Sequence, residues 1–421
     1  MLDLKLVRED PDRVRAALAR RGPGVGDLVD RLLELDASRR TLVTEVDALR
    51  SEQKRRGKDV AKAAPEERPA VLAGLKGLAA RIDEVEARLR AVEAELAGTQ
   101  ARVPNLPDPS VPDGGEDDAV ELRRSGEPPT FDFQVRDHVE LGELLGAIDT
   151  VRAAKVSGAR FGYLTGPGAM LELALVRFAM DRLTGAGFTP VIPPVLVRRE
   201  AMYGTGFLPT DEQQLYRVAD DDLYLVGTSE VPLVSYHADE ILDRGTLPRR
   251  YAGFSSCFRR EAGSYGKDTR GIFRVHQFDK VEMVSFVVPE ASRDEHEFLL
   301  AREEEILAAL EIPYRVVNIA AGDLGASAAK KYDCEAWIPS QGTWRELTST
   351  SNCTDYQARR INCRVREADG NRPVHTLNGT AVAVGRTIIA LLENHQQADG
   401  SVRVPAALQP YLGADVIPLA K

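Results

Sequence analysis

The sequence predicts an α+β protein in which an N-terminal antiparallel hairpin of two long helices precedes a larger domain built on a sheet. Between residues 28 and 102, two segments repeat apolar residues at steps of three and four, as long helices with one apolar seam do. After residue 118, strand-like and helix-like segments mix irregularly, which favours an antiparallel or mixed sheet with helices against it. Neither GxxxxGK[ST] nor GxGxxG occurs, so no P-loop or Rossmann unit is indicated.

The composition is that of a globular protein larger than one ordinary core. The chain has 421 residues, of which 43% are hydrophobic and 29% charged, so we expect two domains or one large domain with an appendage. The net charge of -10 does not exclude nucleic-acid binding, because a polyanion responds to a local basic patch. No run of about 18 apolar residues occurs and the N-terminus is charged, so we expect a cytoplasmic protein without membrane contact.

The cysteines carry no metal or disulfide signature. Cys257, Cys334, Cys353 and Cys363 form neither a CxxC pair nor a Cys/His cluster with ligand spacing. We therefore expect reduced thiols and no zinc.

The first domain is predicted to be a helical arm over about residues 28–102. Its seams are Leu28, Leu32, Leu35, Leu42, Val46 and Leu49 on one side, and Leu75, Leu78, Ile82, Val85, Leu89, Val92 and Leu96 on the other. The segment from Gly57 to Pro69 is predicted to break the helices and reverse the chain. Two single seams are buried most simply against each other in a hairpin, although periodicity alone fits a dimerisation coiled coil equally well.

Basic residues concentrate near the tip of this arm, where they indicate contact with a phosphate backbone. The segment from Arg50 to Lys62 has a local charge of +4, from six basic residues against Glu52 and Asp59. The basic residues are Arg50, Lys54, Arg55, Arg56, Lys58 and Lys62. Exposed helices often carry such charges, so this signal alone does not identify the ligand.

A segment rich in Pro, Gly and Asp, from Val103 to Asp118, is predicted to link two domains. We place the domains at residues 1–110 and 111–421. Within the second, the stretch from Phe258 to Met283 mixes six basic and four acidic residues with aromatic rings. Arg grips phosphate oxygens and a ring such as Phe278 or Phe273 stacks on a flat base, so the stretch suits a nucleotide, although a solvated charged hairpin would look similar.

Four segments supply the parts that ATP-dependent acyl activation needs. Arg259 and Glu261 are predicted on one strand, and Phe278 and Glu282 on one face of the next. Thr228-Ser229-Glu230 offers two hydroxyls and a carboxylate for an ammonium group. Glu346 and Ser349 offer the hard oxygens that Mg²⁺ prefers. The last segment runs from Asn378 and Thr380 into a helix that carries the cation Arg386. Each has a structural alternative, since Glu230 could cap a helix, Glu346 pair with Arg345, and Arg386 pair with Glu393.

These motifs in this order resemble the bacterial-type seryl-tRNA synthetases, which are class II aminoacyl-tRNA synthetases. The resemblance covers essentially the whole chain and includes the arm, the NLP linker, TSE, FRxEAGSxGxDTRG, HQFxKVEM, ExxSxSNxxDxQxRR and LNGTxxAVGR. It implies serine–tRNA ligase activity, in which ATP activates L-serine to seryl-adenylate and serine passes to the terminal adenosine of tRNA(Ser), and also of tRNA(Sec).

The resemblance also implies roles for particular residues. Serine would be bound by Thr228, Ser229, Glu230, Glu282, Asn378 and Thr380, with Glu282 on the ammonium group and Thr380 near the hydroxyl. ATP would be bound by Arg259, Arg260, Glu261, Val275, Phe278, Glu346, Leu347, Thr348, Ser349 and Arg386, and Mg²⁺ by Glu346 and Ser349. Arg259, Glu346 and Arg386 would be the catalytic residues. The arm would bind the long variable arm of the tRNA, and Pro190 matches a motif that forms a homodimer interface.

The chain departs from the family pattern at four positions. Thr348 and Thr350 stand where Ser and Cys are frequent, and Arg260 and Tyr265 replace small residues. These departures leave open a duplicate enzyme that resists a serine-mimicking inhibitor or supplies seryl-tRNA to biosynthesis. Two other readings are a ligase that charges a carrier protein, disfavoured by the arm, and an inactive homologue, disfavoured by the intact charged residues.

Overall fold

The computed structural model describes residues 1–263 and 270–421, and it separates into the units Met1–Leu106 and Pro107–Lys421. The predicted functional bounds, 1–110 and 111–421, stay predictions. The departure at Tyr265 lies outside the described residues.

The first unit consists of helices. They are α1 (Leu4–Glu9), α2 (Pro11–Ala19), α3 (Leu28–Val60) and α4 (Arg68–Arg102). Helices α3 and α4 run antiparallel, because ion pairs join Arg31 to Glu95 and Arg50 to Glu86 between them. The predicted seams are buried within one chain, as the cluster of Leu42, Val46, Leu49, Leu78, Ile82 and Val85 shows. The predicted hairpin arm is confirmed.

The base of the arm has a core of its own. Leu2, Val7, Val14 and Leu18 from the N-terminal segment pack with apolar residues at the base of α3 and α4. Those partners are Val29, Leu32, Leu35, Leu96 and Val103. The arm therefore contains a basal cluster and a distal cluster, and the distal one joins α3 and α4 alone.

The predicted breaker region is too long. Helix α3 continues through Gly57 to Val60, and α4 begins at Arg68, so the reversal occupies only residues 61–67. Gly within an exposed helix costs about 1 kcal/mol relative to Ala, which a long paired helix tolerates. Pro69 lies in the first turn of α4, where its missing N–H costs no helical hydrogen bond, so it is compatible with the start of the helix at Arg68.

The second unit combines short and long strands with helices. Its helices are α5 (His138–Leu144), α6 (Thr150–Ser157), α7 (Pro167–Gly185), α8 (Arg199–Thr205), α9 (Glu230–Ser235), α10 (Ser292–Ala309), α11 (Tyr356–Arg360), α12 (Val384–Asn394) and α13 (Gln409–Leu412). Its strands are β1 (Val120–Ser125), β2 (Ile148–Asp149), β3 (Tyr163–Leu164), β4 (Thr189–Val191), β5 (Leu196–Arg198), β6 (Tyr216–Val218), β7 (Leu223–Leu225), β8 (Ile241–Asp243), β9 (Arg249–Phe258), β10 (Gln277–Val287), β11 (Tyr314–Asn318), β12 (Lys330–Ile338), β13 (Thr343–Asn352), β14 (Arg364–Glu367), β15 (Gly370–Pro373), β16 (His375–Ala383), β17 (Val402–Arg403) and β18 (Val416–Ile417).

In the described part of the chain, eight strands form the main sheet in the order β1-β11-β12-β13-β16-β10-β9-β4. Neighbours are antiparallel except β4 and β9, so the predicted antiparallel or mixed sheet is confirmed. The largest core cluster joins this sheet to α7, α10 and α12 through residues such as Phe178, Leu299 and Ile388. The sheet thus provides a rigid support for side chains on its central strands.

An irregularity in the pairing of β12 with β13 changes which side chains share a face. Cys334 lies opposite Thr348 whereas Glu335 lies opposite Glu346, so Leu347 is an extra residue in β13. A bulge of this kind shifts the alternation of side chains by one position. Thr348 and Thr350 are consequently buried, while Ser349 and Ser351 face the same cavity as Glu346.

The prediction that Arg259 and Glu261 lie on a strand is wrong. Strand β9 ends at Phe258, and Glu261 has a φ of 50°, which an extended strand does not allow. Both residues therefore belong to the connection between β9 and β10.

The predicted linker is partly ordered against the second unit. Asp108 donates its N–H to the carbonyl of Ala329 at 2.8 Å, and Val111 is buried with Val317 and Ile319. The four cysteines are buried as free thiols. No described helix is long and apolar enough to cross a membrane.

Candidate active site

A cavity of about 340 Å³ lies over the central strands of the main sheet. It is lined by β10, β13 and β16, by the start of α12 and by the segments before α9 and after β9. Most of the predicted site residues line it: Thr228, Glu230, Arg259, Glu261, Val275, Phe278, Glu282, Glu346, Leu347, Thr348, Ser349, Asn378, Thr380 and Arg386. Segments far apart in sequence therefore meet in one cavity.

Ser229 and Arg260 do not line this cavity. The Ser229 side chain is fully buried and donates its hydroxyl to the carbonyl of Gly253 at 3.3 Å. Arg260 is exposed, and its backbone N–H donates to the carbonyl of Gln214 at 2.9 Å. Each stands beside a lining residue in sequence, but its side chain is directed elsewhere.

One end of the cavity holds two buried carboxylates. Glu282 lies on β10 opposite Thr380 of β16, accepts a hydrogen bond from the Thr228 hydroxyl at 3.2 Å and forms an ion pair with Lys280. Glu230, at the start of α9, accepts hydrogen bonds from the side-chain amides of Gln357 at 2.7 Å and Asn378 at 2.9 Å. These two acids form what we call the acidic end.

Burial controls the charge of the acidic end. It raises the pKa of Glu230 to about 7, and repulsion from Glu282 acts in the same direction. Burial also raises the pKa of Glu282, although Lys280 opposes that shift. Among the ion pairs of the described residues, Glu282 has a cation and Glu230 has none. The acidic end can therefore accept one more positive charge beside Glu230.

The opposite end, which we call the phosphate end, carries Arg386 at the start of α12. Its Nη1 donates to the backbone carbonyl of Glu346 at 2.9 Å and to Glu346 Oε2 at 3.3 Å, and its guanidinium lies 4.8 Å from the Phe273 ring. The alternative pairing with Glu393 is wrong, because Glu393 accepts the N–H groups of His138 and Ser340, each at 3.0 Å.

Glu346 is held between two cations. Burial alone would raise its pKa, but Lys331 and Arg386 outweigh that effect and lower it to about 2. Its side chain is 44% exposed toward the cavity, so an ionised carboxylate is available there. Glu346 pairs with Lys331 and Arg386, and the alternative pairing with Arg345 is wrong.

Arg259 and Phe278 lie between the two ends. Arg259 Nε donates to the carbonyl of Gly227 at 3.2 Å, and its guanidinium lies 5.3 Å from the Phe278 ring. Phe278 and Glu282 line the same cavity, as the alternation along β10 predicts. The site therefore presents a flat ring and a cation at its centre.

The sequence analysis assigned no role to the charged lining residues Lys280 and Lys331 or to the supporting residue Gln357. Lys280 could have been found, since it lies two residues before Glu282 on the same strand. Lys331 depends on a contact with Glu346 that no local pattern reveals. Phe273 is one of the rings predicted to stack on a base, but its contact with Arg386 does not follow from a local pattern. Gln357 belongs to the motif DYQARR but its contact with Glu230 spans 127 positions.

Glu346 and Ser349 fit a hard divalent cation that is shared with a ligand. Among residues 1–263 and 270–421, no group of three or more His, Cys, Asp or Glu side chains could hold a metal ion. Mg²⁺ takes few protein oxygens and completes its shell with water and phosphate oxygens. One ionised carboxylate with a hydroxyl three residues away, facing one cavity, meets that requirement.

Comparisons with known proteins agree with this fold. Residues 215–395 match the family model of the tRNA synthetase class II core domain (G, H, P, S and T), and residues 1–107 match that of the seryl-tRNA synthetase N-terminal domain. The second unit therefore has a class II aminoacyl-tRNA synthetase core. A solved structure of seryl-tRNA synthetase from Pyrococcus horikoshii complexed with ATP superposes with a TM-score of 0.94 at 45% identity, covering all of both chains.

Comparison with curated relatives identifies the family within this class. The chain is 58% identical to a serine–tRNA ligase of Nocardia farcinica over 99% of both chains. It is 58% identical to a serine–tRNA ligase of Streptomyces coelicolor over 100% of both chains. The chain belongs to the seryl-tRNA synthetase family.

Proposed function

We propose that this protein activates L-serine with ATP and transfers the seryl group to tRNA(Ser), and also to tRNA(Sec). The observation that carries the proposal is that a single cavity joins an acidic end, suited to an ammonium group, to a phosphate end with Arg386 and Glu346. Arg259 and Phe278, between them, suit the α-phosphate and the adenine ring. The amino acid and the nucleotide would thus meet at the centre of the cavity.

The reaction needs no protein nucleophile. The serine carboxylate attacks the α-phosphorus, a new O–P bond forms, and the bond to pyrophosphate breaks. A ribose hydroxyl of the tRNA then attacks the seryl carbonyl carbon, loses its proton and displaces AMP. Arg259 stabilises charge on the α-phosphate, Arg386 binds the outer phosphates, and the acidic end holds the ammonium group, so catalysis arises from positioning and charge stabilisation.

Glu346 and Ser349 would hold Mg²⁺ beside the phosphates. The ion would supply positive charge against the negative charge of the triphosphate. Glu346 remains ionised because its pKa is about 2, so it can serve as a ligand at neutral pH.

The basic arm is proposed to bind the long variable arm of the tRNA. Lys54, Arg55 and Lys58 are exposed on the distal part of α3, and helix surfaces of this charge bind duplex RNA through its backbone. Such binding should weaken as the salt concentration rises.

A homodimer is proposed through α7 and β4. Met170 and Leu173 in α7 and Ile192 directly after β4 are 52, 62 and 75% exposed, and large exposed apolar side chains are typical of a surface that another chain covers. Light scattering should give the mass of two chains, and Leu173→Glu should shift it toward that of one. A wild-type mass of one chain would contradict the proposal.

Serine should support ATP–pyrophosphate exchange at least about 10⁴-fold better than alanine, measured as kcat/KM. A site that hydrogen-bonds a substrate hydroxyl leaves its own polar groups unpaired when that hydroxyl is missing, which costs a factor of about 10⁴. Exchange that is faster with alanine or threonine would contradict the serine assignment. If the protein supports exchange but does not charge tRNA(Ser), the carrier-protein ligase is favoured. If no amino acid supports exchange, the inactive homologue is favoured.

The KM for serine should rise as the pH falls from about 8 to about 6, by up to about tenfold per pH unit below the pKa of Glu230. Burial raises that pKa to about 7, and only the ionised carboxylate attracts the serine ammonium group. Because the pKa of Glu230 is higher in the folded protein than in the unfolded chain, its ionisation lowers the free energy of unfolding as the pH rises through about 7. Serine binds the ionised carboxylate, so it should raise the free energy of unfolding most above this pH.

The control is Glu230→Gln, in which serine binds more weakly but its KM no longer follows this titration. The KM for ATP should not share the dependence in the wild-type protein. A serine KM that is constant between about pH 6 and pH 8 would show that Glu230 does not bind the ammonium group.

A further inference from the structure

Lys331 brings an additional cation to the phosphate end of the cavity. It lies on β12, next to β13, and its side chain lines the cavity together with Glu346 and Leu347. Its Nζ is 2.9 Å from Asp333 Oδ1 and 3.8 Å from Glu346 Oε1. The side chain is 21% exposed and belongs to the lining of the cavity.

The ion pair with Asp333 does not use all the donors of this group. An ammonium group carries three N–H donors. Asp333 occupies one side of Nζ, and the 3.8 Å separation from Glu346 is longer than a hydrogen bond. A donor is therefore left for an anion that enters the cavity.

The charge of Lys331 is maintained by its neighbours. Burial lowers the pKa of its ammonium group, but Asp333 and Glu346 outweigh this effect and raise the pKa above its ordinary value. Asp323 acts in the same direction. The ion pairs with Asp333 and Glu346 fix the position of this side chain at the wall of the cavity.

Glu346 separates Lys331 from Arg386. Its Oε1 is nearer to Lys331 and its Oε2 is nearer to Arg386, at 3.8 and 3.3 Å respectively. A phosphate group beside Glu346 would consequently meet two cations from two different elements, the strand β12 and the helix α12.

We propose that Lys331 is a positioning residue for ATP, which donates to the outer phosphates from the side of Glu346 opposite Arg386. The inference rests on the proposed function only in that the cavity takes ATP. It adds a cation from strand β12, which lies outside the four segments of the sequence analysis. It also makes the affinity of the site depend on the outer phosphates even without a metal ion.

The test compares the affinities of ATP and AMP by calorimetry in the presence of EDTA. Lys331→Met should weaken ATP binding about tenfold, the usual effect of losing one charge-assisted hydrogen bond, and leave AMP binding within about twofold. Lys331→Arg should restore most of the ATP affinity. The matched control is Lys330→Met, since Lys330 lies on the same strand but its ammonium is 4.7 Å from the Tyr332 ring and lines a different cavity.

Equal ATP affinity in Lys331→Met and the wild-type protein would overturn the inference. An equal loss for ATP and AMP would overturn it as well, because a structural role predicts that pattern. Should the methionine variant not fold, Lys331→Gln decides by the same comparison. The two proposals can fail separately. If Lys331→Met weakens ATP binding as expected but the wild-type protein shows no serine-dependent exchange, the proposed function is overturned and this inference still holds.

Discussion

Replacing Arg386 by alanine should lower serine-dependent ATP–pyrophosphate exchange by about a thousandfold, as expected when a group aimed at transition-state charge is removed. The guanidinium is oriented before ATP binds, because the carbonyl and carboxylate of Glu346 and the Phe273 ring hold it. The kcat and KM for ATP, measured separately, would show how much of the loss concerns the transition state.

Folding should survive this change. Arg386 is one-quarter exposed, and the core face of α12 is formed by Ile388, Ile389 and Leu392. Arg386→Lys should recover only part of the activity, because an ammonium group cannot reproduce the planar fork. The control is Arg403→Ala, which removes a half-exposed arginine that pairs with Glu311. Exchange within about tenfold of the wild-type rate in Arg386→Ala would contradict the assigned role.

Shortening the arm should separate the two half-reactions. Removal of residues 43–88, closed by a short glycine–serine turn, deletes most of the distal cluster and the basic surface but keeps the basal cluster. We expect serine-dependent exchange to stay within about threefold and the kcat/KM for tRNA(Ser) to fall by about a hundredfold or more, since several phosphate contacts are lost.

The matched control keeps the length of the arm and changes its charge. Lys54, Arg55 and Lys58 are exposed on α3, and their replacement by glutamine should weaken tRNA charging and reduce its salt dependence without affecting exchange. An equal loss of exchange and charging in the shortened protein would contradict separate roles for the two units.

The arm could be predicted from sequence because its seam is a local, periodic signal. The apolar residues from Leu28 to Leu96 determine both helices, and only the length of the turn was wrong. The order of the main sheet could not be predicted in this way. Strand β16 lies between β10 and β13, and these pairings follow from packing over long sequence separations rather than from a local pattern.

In the candidate site, too, some relations between residues follow from a local pattern and others depend on the fold. Phe278 and Glu282 share a face because strands alternate, so one strand sufficed to predict their relation. Glu346 and Ser349 are three residues apart, and they face one cavity only because Leu347 forms a bulge. The contacts of Arg386 with Glu346 and of Glu230 with Gln357 join distant segments, so no local pattern predicts them. The resemblance to the family implied roles for Arg386, Glu346 and Glu230, but it did not give these contacts.

The bulge at Leu347 also bears on the departures at Thr348 and Thr350. It directs the Thr348 hydroxyl to Glu303 at 2.8 Å and the Thr350 hydroxyl to the carbonyl of Asn378 at 2.8 Å. Both hydroxyls donate hydrogen bonds within the protein, and these bonds connect β13 to α10 and to β16. Thr348 nevertheless lines the cavity, and Asn378, which accepts the hydrogen bond of Thr350, donates to Glu230 of the acidic end. Thr350 does not line the cavity, so a change at this position would act on a bound serine-like compound through Asn378 rather than by direct contact.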